Sequence, residues 1–427
     1  MKKILLLIAA VIVLDFVLVI VVISLGWHPF LHACSVVEVR SGQRMVARRD
    51  YIGAVGRYDH ALMLDPQNVD AYTARAYAWT YLGKYDAAIT DGDQAIQIDS
   101  KNGAAYGARG WAKEWKGDEE GARADYDQAI ELSPNVAAYY AHRGWIRGHQ
   151  REWDGALKDL DQALELNPQL DSAYNDRAWV KFRKGDVAGA LQDENSAIEF
   201  GPHHVAYYLA RADLHLRMSD SDGALSDAKA ALDIQPQSTV GLYWQAVAQR
   251  RLGDTKDSIE SFNQLLQINP RFNGALFERG MSKYVDGDLA GAEADLKSAR
   301  AGGVDRPFVE LWLWIFACQE GGKADGDRVL SDYLTDARTV KDGTWPEKLG
   351  DLLLGRVTPD ALASSLDLAQ PKAVQEDQLC QLWFFAGKVA LLNGDHATAR
   401  ADFQKSIDTG AADIIEGSEA KRELAKL

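Results

Sequence analysis

Cysteine, proline and basic charge are all scarce in this 427-residue chain, and each scarcity closes off a class of function. The three cysteines, Cys34, Cys318 and Cys380, fit neither a metal-ligand spacing nor a disulfide framework. Lys and Arg total 47 against 62 Asp and Glu, for a formal net charge of −15. Without a long basic run, the chain lacks the cation clusters that nucleic-acid phosphates demand. It also lacks a phosphate-binding loop, a nucleophile elbow and a metal-binding helix. His142, His149, His203, His204 and His215 are scattered. The chain therefore reads as non-enzymatic, with no cofactor and no metal.

Proline is rare but placed with regularity. Of 11 prolines, Pro66, Pro134, Pro168, Pro202, Pro236 and Pro270 lie on a spacing of 34 residues, with Ser100 in the one gap. Small residues follow the same beat: Ala54, Ala88, Ala122, Ala156, Ala190, Ala224 and Ala292, with Ser258 as the exception. Seven further on stand Ala61, Ala95, Ala129, Ala163, Ala197, Ala231 and Ala299, with Leu265 as the exception. Two small residues seven apart on one helix let a partner helix approach closely. Gly83, Gly117, Gly185, Gly253 and Gly287 sit where a first helix should end. In this register, with motifs such as Tyr140–Arg143–Gly144–Trp145 followed by Ala156, Ala163 and Pro168, the chain resembles tetratricopeptide repeat proteins. The resemblance implies an all-α superhelix of stacked hairpins whose first helices line a concave binding face. An apolar content of 47 % is enough for such a core.

The repeats are expected at 35–68, 69–102, 103–136, 137–170, 171–204, 205–238, 239–272 and 273–303, the first degenerate and serving as a cap. Beyond them an irregular helical insertion is expected over 304–378. It should contain helices at Pro307–Gln319, Ala324–Ala337, Trp345–Gly355 and Thr358–Leu366, and a connection at Pro371–Gln378. A ninth repeat at 379–410 and a capping helix at 411–427 complete the chain. This tail, with ELWLW, VTPDAL and LLNGD segments, resembles NlpI-like tetratricopeptide proteins of bacterial envelopes over about residues 305–410. That resemblance implies an adaptor for cell-wall hydrolases and proteases.

The N-terminus carries the one long apolar run. Lys2 and Lys3 precede Ile4–Leu25, which is apolar except for Asp15 and Ser24. As a helix those 22 residues would span roughly 33 Å, about a bilayer core. Asp15 there costs about 2.5–3.5 kcal/mol. Trp27 and Phe30 would mark the interface, and Pro29 would end the helix. The expectation is a cytoplasmic stub at 1–3, a transmembrane anchor at 4–26, and a single-pass inner-membrane protein with its repeats outside the cytoplasm. Leu31-His32-Ala33-Cys34 resembles a lipoprotein cleavage box, so lipid attachment at Cys34 is the alternative.

Two side-chain patterns ride on the repeat. Arg75, Arg109, Arg143, Arg177, Arg211 and Arg279 are each followed sixteen residues later by Asp91, Asp125, Asp159, Asp193, Asp227 and Asp295. Gln245 lacks the arginine and is matched by Ser261, so presence and absence track within a repeat. This predicts structural Arg–Asp pairs inside each hairpin. The second pattern is an aromatic ladder of Tyr77, Trp111, Trp145 and Trp179, with Tyr81, Trp115, His149 and Arg183 four residues on. Asp213, Val247 and Met281 break it, and Arg217, Arg250 and Arg251 make the later groove basic. Tryptophan and arginine are the residues of binding hot spots. The expected function is a membrane-anchored envelope scaffold that takes protein or extended-peptide partners on these residues. A cell-wall glycan stacked on the ladder is the alternative.

Overall fold

Each 34-residue beat folds as a helix hairpin because its two apolar stripes are separated by one residue that must adopt positive φ. Gly83, Gly117, Gly185, Gly253 and Gly287 hold that place with φ between 70° and 92°. Where the beat lacks glycine, Arg49, Arg151 and Ser219 are forced into the same region at φ 60–62°. An aspartate then opens the second helix: the side chains of Asp50, Asp118, Asp186, Asp220 and Asp288 each accept a hydrogen bond from the amide of a glycine three residues on.

The computed structural model describes residues 28–302, 307–337, 344–367, 370, 372–411 and 414–427, and among them it contains helices, turns and no strand. It divides into two compact units at Pro202. The first unit holds α1 (His28–Ala47), α2 (Tyr51–Leu64), α3 (Val69–Tyr81), α4 (Tyr85–Ile98), α5 (Gly103–Lys116), α6 (Glu119–Leu132), α7 (Ala137–His149), α8 (Trp153–Leu166), α9 (Asp171–Arg183) and α10 (Val187–Phe200). Successive helices pair as hairpins, and first helices also lie side by side, α3 on α5 and α7 on α9. Ala54, Ala88, Ala122, Ala156 and Ala190 are fully buried where the helices meet.

The second unit begins with three hairpins: α11 (Val205–Arg217) with α12 (Ser221–Ile234), α13 (Thr239–Leu252) with α14 (Thr255–Ile268), and α15 (Asn273–Asp286) with α16 (Leu289–Ala301). It continues through α17 (Pro307–Gly321), α18 (Lys323–Ala337), α19 (Trp345–Leu353), α20 (Pro359–Ser364), α21 (Lys372–Leu392), α22 (His396–Asp408) and α23 (Ile415–Lys426). Its core is aromatic: Trp312, Trp314, Phe384, Phe385 and Phe403 are fully buried together. Of the connection expected at Pro371–Gln378, the described part from Lys372 on is instead the first part of α21, which runs unbroken until Asn393-Gly394 because no residue from Lys372 to Leu392 stops a helix. The boundary expected between insertion and ninth repeat at 378/379 therefore falls inside one helix.

The N-terminal expectation also needs correction. Among the described residues no helix is long and apolar enough to cross a membrane, and residues 4–26, where the anchor was placed, lie outside the described ones. The described residues form an all-α repeat array without a membrane helix, so the expected single-pass inner-membrane placement is not supported. Pro29 does not end a helix. It lies within α1 as described, His28–Ala47. Cys34 is a half-buried residue of the same helix.

Candidate functional site

The repeated arginines are held within their hairpins. Nε and Nη2 of Arg75, Arg109, Arg143, Arg177, Arg211 and Arg279 donate to the two carboxylate oxygens of Asp91, Asp125, Asp159, Asp193, Asp227 and Asp295 at 2.6–2.9 Å. All six aspartates are buried. In the repeat without arginine, Ser261 Oγ bonds Gln249 at 2.8 Å instead, a neutral replacement.

The structure adds three partners that the spacing had not indicated. Nη1 reaches back to the preceding repeat, binding Asp59, Asp93, Asp127 and Asp161 from Arg75, Arg109, Arg143 and Arg177 at 2.5–2.7 Å. Each guanidinium thus ties one hairpin to the one before it. The signal was an acid two residues beyond the buried aspartate, as in Asp91-Gly92-Asp93. A second cation four residues after the arginine also reaches the buried carboxylate: Lys113, Arg147, Lys181 and Lys283 at 2.7–2.8 Å. Tyr72, Tyr106, Tyr140 and Tyr174 lie under the guanidinium groups of Arg75, Arg109, Arg143 and Arg177 at 5.5–5.7 Å from ring centroid.

The aromatic residues form two clusters rather than one ladder. In the first, Tyr81 stacks on Tyr51 at 4.4 Å, and Trp111 meets Tyr81 at 4.8 Å and Tyr77 at 5.8 Å. Tyr139, buried on α7, packs where Gly107 of α5 leaves room. In the second, His149 lies 4.0 Å from Trp145 and stacks on Trp179 at 4.9 Å, while Arg183 covers both Trp153 and Trp179 at 5.7 Å. Each of these rings contacts another ring or a guanidinium, several of them edge-on or tilted. That leaves no continuous platform for a sugar chain, and the glycan expectation loses its footing. Trp115 is 59 % exposed, as Tyr81 is at 54 %, but unlike Tyr81 it is in neither ring cluster.

A cavity of about 540 Å³ opens at this point, lined by the C-terminal end of α5 (Glu114, Trp115, Lys116), by His142 and Trp145 of α7, and by Ser172 and Asp176 of α9. Glu114 accepts hydrogen bonds from the Tyr126 hydroxyl at 2.7 Å and faces His142 Nδ1 at 3.1 Å. Asp176 has no hydrogen bond among the described residues. Burial pushes its carboxyl up to about 7; nearby His142 lowers it and Glu114 raises it.

The basic positions of the second unit are already engaged. Arg250 pairs with Glu278 at 2.9 Å, Arg251 donates to the Leu216 carbonyl at 2.7 Å, and Arg217 pairs with Asp213 on its own helix at 3.0 Å. Val247 and Met281 are buried. Two of the three thiols are not reactive centres either: Cys318 and Cys380 are buried, and burial pushes Cys318 up to about 11.

Family models described as tetratricopeptide repeats match residues 36–105, 143–205, 209–271 and 243–307, with a further one over 103–136, together more than half of the chain. The chain belongs to the tetratricopeptide repeat family. Tetratricopeptide repeat proteins act as scaffolds and adaptors between proteins, and the fold is typically non-catalytic. The matches end at residue 307, and the expected likeness of the tail to NlpI-like proteins finds no support in them. Among solved structures, the chain is similar to the TPR protein TTC0263 of Thermus thermophilus, with 22 % identity over 43 % of this chain and 99 % of that one and a TM-score of 0.38. It is also similar to Pseudomonas aeruginosa PilF, with 19 % identity over 51 % of this chain and 98 % of that one and a TM-score of 0.45. With yeast Tom70 it shares 14 % identity over 92 % of this chain and 95 % of that one, at a TM-score of 0.40. No property of those proteins transfers at such scores.

Proposed function

We propose that this chain is a non-enzymatic adaptor that holds an extended segment of a partner protein along the first helices of its first unit. The observation supporting this reading is the cavity between α5, α7 and α9, with the exposed indole of Trp115 at its edge and the half-buried indole of Trp145 in its wall. An exposed tryptophan beside a concave, partly apolar cavity is a site where a partner can gain buried area without rearranging the fold. The other ladder residues, Tyr77, Tyr81, Trp111, His149, Trp179 and Arg183, contact one another outside the cavity lining and are assigned a packing role. Arg217, Arg250 and Arg251 have protein partners of their own and are assigned no ligand.

A displayed random-peptide library selected on the full chain tests this. Trp115→Ala, an exposed change that spares the ring clusters, should weaken the selected peptides by about tenfold while the melting temperature stays put. Failure to select any peptide, or equal binding by the variant, would remove the reading.

A further inference from the structure

We infer that the cavity between α5, α7 and α9 seats a basic side chain, arginine or lysine, of the bound segment, with the Glu114 and Asp176 carboxylates and the indoles of Trp115 and Trp145 as its partners. The inference rests on the peptide-adaptor reading above and names the chemistry of its central contact.

The charges facing the cavity come from three helices. Those on α5 are Glu114 and Lys116, α7 contributes His142, and α9 contributes Asp176. Lys116 Nζ is turned onto Asp86 at 2.7 Å, so its charge is answered outside the cavity. Glu114 is partly answered by the Tyr126 hydroxyl of α6 and by His142. Asp176 is not. It keeps part of its surface open to the cavity, yet burial already disfavours its charge. A guanidinium or ammonium group would supply the missing donors as charge-assisted hydrogen bonds, which are stronger than neutral ones. The two indoles supply the faces that cations prefer. The chain uses the same pairing elsewhere: Arg183 covers two indoles, and Lys405 Nζ lies 3.7 Å from the Trp383 ring centroid. An acidic ligand would meet two carboxylates and no unengaged cation. Among the described residues no three metal-ligating side chains come together, which disfavours a metal ion here.

Proton linkage sets the direction of the pH effect. Below about pH 7 Asp176 holds a proton that a cation must displace. Affinity should therefore rise from pH 6 to pH 8 and then level off.

The probes are peptides from the random library, bound to the full chain, and their analogues with citrulline or norleucine in place of arginine or lysine. A shared basic residue is expected in the selected set. Asp176→Asn should cost about tenfold for the basic peptide and little for its neutral analogue, and it should flatten the pH profile. Unchanged melting of Asp176→Asn and Trp115→Ala would exclude unfolding as the cause. Peptides that bind through Trp115 but share no basic residue, or that ignore Asp176→Asn, overturn this inference and leave the adaptor reading standing. An empty selection overturns both.

Discussion

Arginine at the repeated position is a structural device, and the surroundings of each copy decide how much depends on it. Asp125, Asp159, Asp193 and Asp295 each have a second cation four residues beyond the arginine, whereas Asp91 has Trp79 in that place and relies on Arg75. Asp91 is also 4 % exposed, and burial raises its carboxyl even with Arg75 bonded to it. Stranding a buried charge costs about 3–5 kcal/mol, whereas a carboxylate that keeps one cation loses less. Arg75→Met should therefore destabilise the first unit more than Arg143→Met does, because Arg147 remains on Asp159 at 2.7 Å. Urea unfolding of the two variants checks the order. The double change Arg75→Met with Asp91→Leu should recover most of the loss, since an apolar pair of similar volume has no charge to strand.

Helix ends carry the next layer of specification. The turn within each hairpin needs one left-handed residue, which glycine supplies without strain and a residue with a Cβ supplies at about 1–2 kcal/mol. Arg151 stands there at φ 62°. Arg151→Gly should relieve that strain, less what glycine adds to the freedom of the unfolded chain, for a net gain of about 0.5–1 kcal/mol. The mirror change Gly117→Ala, at φ 89°, should lose a similar amount. Equal melting temperatures for Arg151→Gly and the unaltered chain would show the turn to be unstrained. At the far end, α23 covers the core with an acidic face: Glu416, Glu419 and Glu423 are buried, and Glu423 meets the buried Lys388 at 3.2 Å. Ala420 is buried in the same core as Trp312 and Phe384.

Repeat arrays are held together by neighbours, so a large part can stand without the rest. The first unit is bounded at Pro202 and contains the cavity, both aromatic clusters and four of the arginine links between hairpins. A fragment of residues 28–202 should therefore fold, with mean residue helicity close to that of the whole chain and a cooperative thermal transition. It should bind the selected peptides within about threefold of the full chain. A disordered fragment in circular dichroism would mean that the second unit is needed for the first to fold.

The 34-residue period made the hairpins, their turns and the intra-repeat Arg–Asp pairs legible, because each depends on residues within one or two turns of chain or on a fixed offset of sixteen. Contacts set by how side chains from different hairpins meet were not legible. A stripe of aromatics predicts proximity, but whether Trp111 turns to Tyr81 or to Trp145 depends on the space left by neighbours such as Gly107 and Tyr139. Arg250 and Arg251 looked like open groove charges until the fold brought Glu278 and the Leu216 carbonyl to them. The cavity escaped for the same reason: His142 and Asp176 share one repeat position, where the neighbouring repeats carry Ala108 and Ala210, and meet Glu114, from a different position, only in the stacked fold. Residues that recur at a fixed offset report the local geometry that every repeat must satisfy. Residues that depart from the period acquire partners only when the hairpins stack, and here those departures build the candidate site.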